Sequence, residues 1–483
     1  MSLKFSKSFK LASYSYANHA LTMILQLVQL KVLTYFLPVD NYGAWSQITV
    51  AISFSIILLN LNLGHGFIRF ASSYSTDLKQ KTYSSILIFQ TVLAVLLILI
   101  LLPFRYNITR FLTDYESNTI YFFIGWLVIM AISIDSIQRF LLVSGKEVQM
   151  IKQNLIKIIS DVSFTLVGVI IRHDIFGVLA GYSFSKLFCF VLFSQINHIS
   201  YRKLEFSSNI IKELLKFSLP LIPISIAYWI INSSNRYLIK FFIDLEAVGL
   251  FSVANRLPMM LVIIFTLLST IFLSNVSRLF DNGNLERVSY WFSVIIRVFF
   301  FSGVAGGTFL IAANKPLTLI VSNADYLFEG LPLVYLFISV GSLSFGGFQI
   351  ISRLYDLEKK VYQNSFNWII AMVLNIILNV ALIPLWGIVG AGIATGVTLF
   401  VSFVISIIKR PVNIHLNVSW WRIFIFALLS FAAAYLFASN AKVDELENFI
   451  VLIISLILGL FSAVIGMVLK IIHMKEISSL IKK

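Results

Sequence analysis

The chain has 483 residues, 59% hydrophobic and 12% charged, with a mean hydropathy of +0.90; soluble domains carry roughly 25% charged residues, so a soluble globular fold is excluded. The formal net charge of +15 is spread over the ends of apolar runs and not gathered in one patch, which points to membrane topology and away from nucleic acid. The one cysteine, Cys189, lies inside an apolar run, which excludes an internal disulfide and a thiolate metal cage.

Apolar stretches of about 20 residues, each able to cross a hydrocarbon layer roughly 30 Å thick, recur from end to end. The first follows Lys4, Lys7 and Lys10, runs on to Phe36 and contains Asn18, His19, Gln26 and Gln29. It is too long and too polar for a cleaved signal peptide. Hydropathy predicts about fourteen transmembrane helices, at 11–36, 44–66, 83–104, 119–143, 153–171, 177–196, 217–241, 248–273, 290–312, 331–351, 362–384, 387–408, 421–438 and 449–470. With the N-terminus inside, the inner segments hold 24 Lys and Arg and the outer segments 5, so both termini are expected in the cytoplasm.

Polar residues inside the bilayer face protein or a water-filled cavity. On the first span, Ser15, Asn18, Thr22, Gln26 and Gln29 share one narrow face, suited to lining a cavity or to interhelical hydrogen bonding. Lys31 points away from that stripe and either snorkels or serves a site. His65 and Arg69 end the second span as interface anchors. Asp135 and Arg139 on the fourth span, and Lys157 and Asp161 on the fifth, are four residues apart and can neutralise each other. The sharper alternative makes Asp135 or Asp161 a coupling site for H+ or Na+. Lys186 and Arg297 read as isolated cations.

The seventh span carries Ser218, Ser225, Asn232 and Arg236 on one face, with Lys240 a turn further on and a bend expected at Pro220 and Pro223. The eighth adds Ser252, Asn255, Arg256 and Thr266, loosened at Pro258; the eleventh carries Asn364, Asn375 and Asn379. Arg236 and Arg256 have no acidic residue at helical spacing. Their planar forks suit an anionic substrate such as a diphosphate, which would supply the missing partner.

The sequence also repeats. Tyr35-Phe36 and Gly43-Ala44-Trp45-Ser46 recur 206 residues later as Phe241-Phe242 and Gly249-Leu250-Phe251-Ser252; Phe176-Gly177-Val178-Leu179 recurs 210 later as Trp386-Gly387-Ile388-Val389. This predicts two six-helix lobes of the same orientation, 1–205 and 206–410, with two extra helices and a cytoplasmic tail over 411–483. HExxH, Walker A, GxSxG and paired-cysteine motifs are all lacking, the outer loops are short, and the six His have no ligand spacing. Neither catalysis nor a bound metal or cofactor is expected.

Three segments carry a family resemblance: Pro38-Val39-Asp40-Asn41-Tyr42-Gly43 after the first span, Leu63-Gly64-His65-Gly66-Phe67-Ile68-Arg69-Phe70 closing the second, and Gly387-Ile388-Val389-Gly390-Ala391-Gly392-Ile393-Ala394 on the twelfth. In motif order and helix layout the chain resembles the O-antigen and polysaccharide flippases (Wzx type) of the multidrug/oligosaccharidyl-lipid/polysaccharide exporter superfamily. The resemblance implies an all-α membrane protein with two six-helix lobes in a V-shaped arrangement around a cationic cavity. It also implies transport of an undecaprenyl-diphosphate-linked repeat unit across a bacterial inner membrane by alternating access. Membrane lipids, a polysaccharide polymerase and a chain-length regulator would be its partners. Arg236, Arg256, Lys31, Arg297, Asn18, Gln26, Gln29, Asn232, Asn255 and Asn375 are the candidate substrate-binding residues. A drug or cation antiporter of the superfamily, which needs acidic cavity residues, and a membrane-embedded polymerase or glycosyltransferase, which needs a sizeable catalytic outer loop, are the competing readings.

Overall fold

A bilayer offers backbone N–H and C=O groups no water, so spanning segments must close their hydrogen bonds internally and become helices. The computed structural model describes the chain except residues 1, 200–203, 266–275, 278, 359–360, 411–413, 442–444 and 472–483, and only the backbone of 2–13, 15–17, 361–364 and 445–446. Every regular element among the described residues is helical. The first part of the chain forms α1 (Ser2–Phe36), α2 (Val39–Asn60), α3 (Leu63–Phe70), α4 (Thr76–Leu101), α5 (Arg105–Thr113), α6 (Asn118–Val143), α7 (Glu147–Ile171), α8 (Ile175–Ile196) and α9 (Ser208–Ser218). Next come α10 (Ile222–Phe242), α11 (Leu245–Ala254), α12 (Arg256–Met259), α13 (Leu285–Ala312), α14 (Asn314–Val321), α15 (Leu331–Leu357), α16 (Val361–Ile408), α17 (Trp420–Asn440) and α18 (Glu445–Val468).

Among the described residues twelve helices are long and apolar enough to cross a membrane, or thirteen when Leu245–Ala254 and Arg256–Phe265, bent by 42° at Asn255, count as one span. That count takes α16 once, yet its backbone leaves the helical region at Trp386 and at Gly387 (φ 55°, ψ −134°). Asn375 Nδ2 lies 3.4 Å from Thr398 Oγ1, and Lys409 Nζ stands 5.2 Å over the Phe366 ring. In an unbroken helix Asn375 and Thr398 would be roughly 35 Å apart. Both pairs are centred on the break, so α16 is a hairpin of two spans and the total reaches fourteen, as expected from hydropathy.

The chain forms two compact units, Met1–Trp229 and Ile230–Lys483. In the first, Leu63, Phe67, Tyr83, Ile137, Phe193 and Leu214 make a buried core that joins α3, α4, α6, α8 and α9. The helices α7 and α8 pack backbone to backbone: a side-chain carbon on Gly168 would stand 2.2 Å from the Gly177 carbonyl oxygen, and one on Gly181 2.1 Å from that of Phe164. Pro220 lies in a short 3-10 turn, Leu219–Leu221, between the amphipathic α9 and α10. The fixed φ of proline and its missing N–H suit the start of a helix.

In the second unit, α17 and α18 lie on α13. Phe431 fills the space left by Gly307, and Phe301 sits against Gly466. Lys315 Nζ donates to the Ala441 carbonyl at 2.7 Å. Trp421 and Phe449 on the last pair are 60% and 65% exposed. Helix ends recur along the chain as the motifs do: α1 ends at Phe36 and α2 begins at Val39, while α10 ends at Phe242 and α11 begins at Leu245, each 206 residues on. The short α5 and α14 begin 209 residues apart at equivalent points, where the sequence predicts only loop.

Candidate functional site

Four residues make just over one helical turn, so α6 presents Asp135 and Arg139 together. Arg139 Nε donates to Asp135 Oδ2 at 2.7 Å, as the sequence predicts. Asn60, the last residue of α2, donates to the same oxygen at 3.1 Å. Gln90 of α4 closes the network, donating to Asn60 Oδ1 and accepting from Ser136 Oγ, each at 3.1 Å. These groups line a narrow cleft, with room for about one water, together with Gly64, Phe67, Tyr83 and Ile86. A side-chain carbon on Gly64 would stand 2.3 Å from Arg139 Cδ, and one on Gly66 2.9 Å from Ser218 Oγ. The two glycines of the Leu63–Phe70 segment thus admit the arginine on one side and seat α9 on the other.

The second charged cluster corrects the sequence reading. Asp161 is held not by Lys157 on its own helix but by Lys186 of α8, whose Nζ lies 2.8 and 2.6 Å from the two carboxylate oxygens. Ser185 Oγ donates to Asp161 Oδ1 at 2.7 Å, and the Tyr182 ring lies 4.4 Å beneath Lys186 Nζ. Lys186 is therefore not isolated: its side chain is 7% exposed and fully paired. Lys157 forms no hydrogen bond or ion pair with any described residue.

On α1, Asn18 is buried while Gln26, Gln29 and Lys31 are half-buried. In the second unit, Arg236 of α10 donates Nε to Ser252 Oγ of α11 at 3.1 Å, and Ser252 lies four residues before Arg256. Arg256 is exposed, and Asn232 and Asn255 are half-buried. Asn375 is fully buried; it bonds Thr398 and receives two bonds from Asn379, so its polar group joins the two arms of α16. Arg297 donates to the Asn417 carbonyl at 3.0 Å and tethers the segment ahead of α17. Thr266 lies outside the described residues, as do the side chains of Ser15 and Asn364.

Sequence reading passed over Asn60, Gln90, Ser136 and the buried Asn235, which donates to Thr395 Oγ1 at 3.3 Å. Asn60 and Gln90 are polar residues within apolar runs that make no stripe, whereas Ser136 and Asn235 adjoin Asp135 and Arg236, the charged residues on which the sequence reading settled.

The family model for polysaccharide biosynthesis proteins matches residues 10–273. No curated protein matches the chain. Among solved structures, the lipid II flippase MurJ in an inward closed conformation is similar over 94% of this chain and 97% of that one, with a TM-score of 0.73 and 16% identity. An inward-facing multidrug resistance MATE transporter of the MOP superfamily is similar over 86% and 95%, with a TM-score of 0.61 and 12% identity. A MOP superfamily transporter from Pyrococcus furiosus is similar over 88% and 96%, with a TM-score of 0.55 and 12% identity. At these identities the likeness establishes the fold, the one shared by MurJ and the MATE transporters. Because the family model spans more than half of the sequence, this chain belongs to the polysaccharide biosynthesis protein family.

Proposed function

We propose that the protein is a flippase that carries undecaprenyl-diphosphate-linked oligosaccharide repeat units from the inner to the outer leaflet of a bacterial inner membrane by alternating access. The product would feed O-antigen, capsule or exopolysaccharide synthesis, with a polymerase and a chain-length regulator acting after it. What carries this reading is the family match on a fold shared with a lipid-linked precursor flippase. Arg236 and Arg256 supply its chemistry. Arg236 bonds Ser252, which lies four residues before Arg256, and guanidinium forks bind phosphate oxygens in pairs. H+ or Na+ coupling belongs to the same proposal. An antiporter of drugs or cations needs a free carboxylate, and Asp135 and Asp161 are each bonded to a cation, which favours the anionic cargo.

The test is surface glycan in a strain lacking its own flippase. A charge-assisted hydrogen bond contributes about 1.5–3 kcal/mol, roughly 10- to 100-fold. Arg236→Ala and Arg256→Ala are each expected to cut export by that order at equal membrane abundance. The Lys variants should restore part of it, since they keep the charge and lose the paired donors. Full export by both alanine variants would remove these residues from the site.

A further inference from the structure

An arginine carries its planar head on several rotatable bonds, so a fork that meets an anion in one orientation must be held there by its neighbours. In the second unit Arg236 is held at both ends. Its backbone N–H donates to Asn235 Oδ1 at 3.0 Å, and the buried Asn235 donates in turn to Thr395 Oγ1 of α16 at 3.3 Å. Its Nε donates to Ser252 Oγ of α11 at 3.1 Å. Ser252 is buried on a well-seated helix: Asp244 caps α11 by accepting from Ala247 N at 2.7 Å, and Val248, Phe251 and Val253 are fully buried. The hydroxyl that meets Nε therefore stands on a rigid support.

The internal repeat separates this contact from ordinary helix packing. Counting back 206 residues, Ser252 corresponds to Ser46 and Arg236 to Leu30. Both counterparts are buried in the first unit. That unit builds the same helix, turn and helix with a leucine in the place of the arginine, so the packing itself does not call for a cation. A charged side chain within a spanning helix is costly and marks function.

We propose that Ser252 is a positioning residue, which by accepting from Nε fixes the plane of the Arg236 guanidinium so that its fork meets the phosphate oxygens of the lipid-linked cargo in one orientation. This rests on the flippase reading and deepens it: Ser252 acts through Arg236 and does not touch the cargo. A bond at Nε orients the head from its stem side and directs the terminal nitrogens at the anion, the pair that grips two oxygens at once. Lysine has no N–H along its stem, and its one ammonium must be shared between serine and cargo. The serine therefore helps only an arginine.

The experiment is a double-mutant cycle on the initial rate of surface-glycan export, in a strain lacking its own flippase and at equal membrane abundance. With Arg236 in place, Ser252→Ala should lower the rate about tenfold, and Ser252→Thr, which keeps the hydroxyl, should recover most of it. In an Arg236→Lys background the same Ser252→Ala change should alter the rate by less than about twofold. A serine that only packs α10 on α11 would give the same fold loss in both backgrounds together with a lower melting temperature, and that result overturns the proposal. An undiminished rate in Ser252→Ala overturns it as well. Should Ser252→Ala fail to accumulate, Ser252→Thr and Ser252→Val share a shape and differ in the hydroxyl: an active Thr variant with an impaired Val variant supports the assignment, and equal rates sink it. Normal export by Ser252→Ala beside lost export by Arg236→Ala removes the serine and leaves the flippase reading standing. Wild-type protein that fails to restore export would sink the flippase reading itself, and the role of Ser252 with it.

Discussion

Lys186 is a cation that hydropathy leaves stranded in mid-membrane, and the structure gives it a carboxylate, a serine neighbour and an aromatic face. Removing one partner of such a pair strands the other, at about 3–5 kcal/mol, whereas replacing both with apolar groups is often neutral. Lys186→Met should therefore lower the melting temperature sharply, and adding Asp161→Leu should recover most of the loss. A single variant as stable as wild type would mean that Asp161 is not charged in the folded protein. The contrast with Asp135 and Arg139 shows what sequence can give at this scale. Their spacing of four is a helical period, so the pair is legible from the chain alone. Asp161 and Lys186 are 25 residues apart on successive helices, a separation with no period, and the competing neighbour Lys157 has the better spacing and the wrong geometry.

At the scale of elements, the long apolar spans were legible because a bilayer leaves no other backbone solution. The short α3, α5, α9 and α14 were not, since a window wide enough to find a span absorbs or averages them. Turns were legible where glycine marks them. Gly387 has φ 55° with ψ −134°, a region essentially closed to residues with a Cβ and worth about 1–3 kcal/mol of strain. Gly387→Ala should therefore loosen the hairpin of the eleventh and twelfth spans and lower the melting temperature. The cause at Gly181 is different. It is helical, but an added carbon would stand 2.1 Å from the Phe164 carbonyl oxygen, a backbone atom that cannot rotate aside. Gly181→Val should separate α7 from α8 and yield little folded protein in a detergent-solubilised monomer assay. Comparable yields for Gly181→Val and wild type would contradict that close approach.

For the whole molecule, the alternation of basic segments predicts an orientation, and the spans counted among the described residues make it testable at every turn. A Lys- or Arg-rich short segment stays on the cytoplasmic side, so Lys146, after α6, and Asp281, before α13, are expected inside. Glu116, after α5, and Asp325, after α14, are expected outside. All four are exposed, which suits them to substitution by cysteine. The native thiol does not interfere, because Cys189 is fully buried in the core of the first unit. The Glu116 variant gives up an ion pair with Arg110 whose side chains are 58% and 72% exposed, a contact of about 0–1 kcal/mol that leaves the fold intact. A membrane-impermeant maleimide added to whole cells should label Glu116→Cys and Asp325→Cys, and should label Lys146→Cys and Asp281→Cys only after the membrane is opened. The two inner positions lie before α7 and α13, with the broken spans at Asn255 between them. Miscounting the bent pair Leu245–Ala254 and Arg256–Phe265 would therefore put Lys146 and Asp281 on opposite sides. Labelling of Asp281→Cys in intact cells, with Lys146→Cys protected, would show that this pair does not cross the membrane as one span.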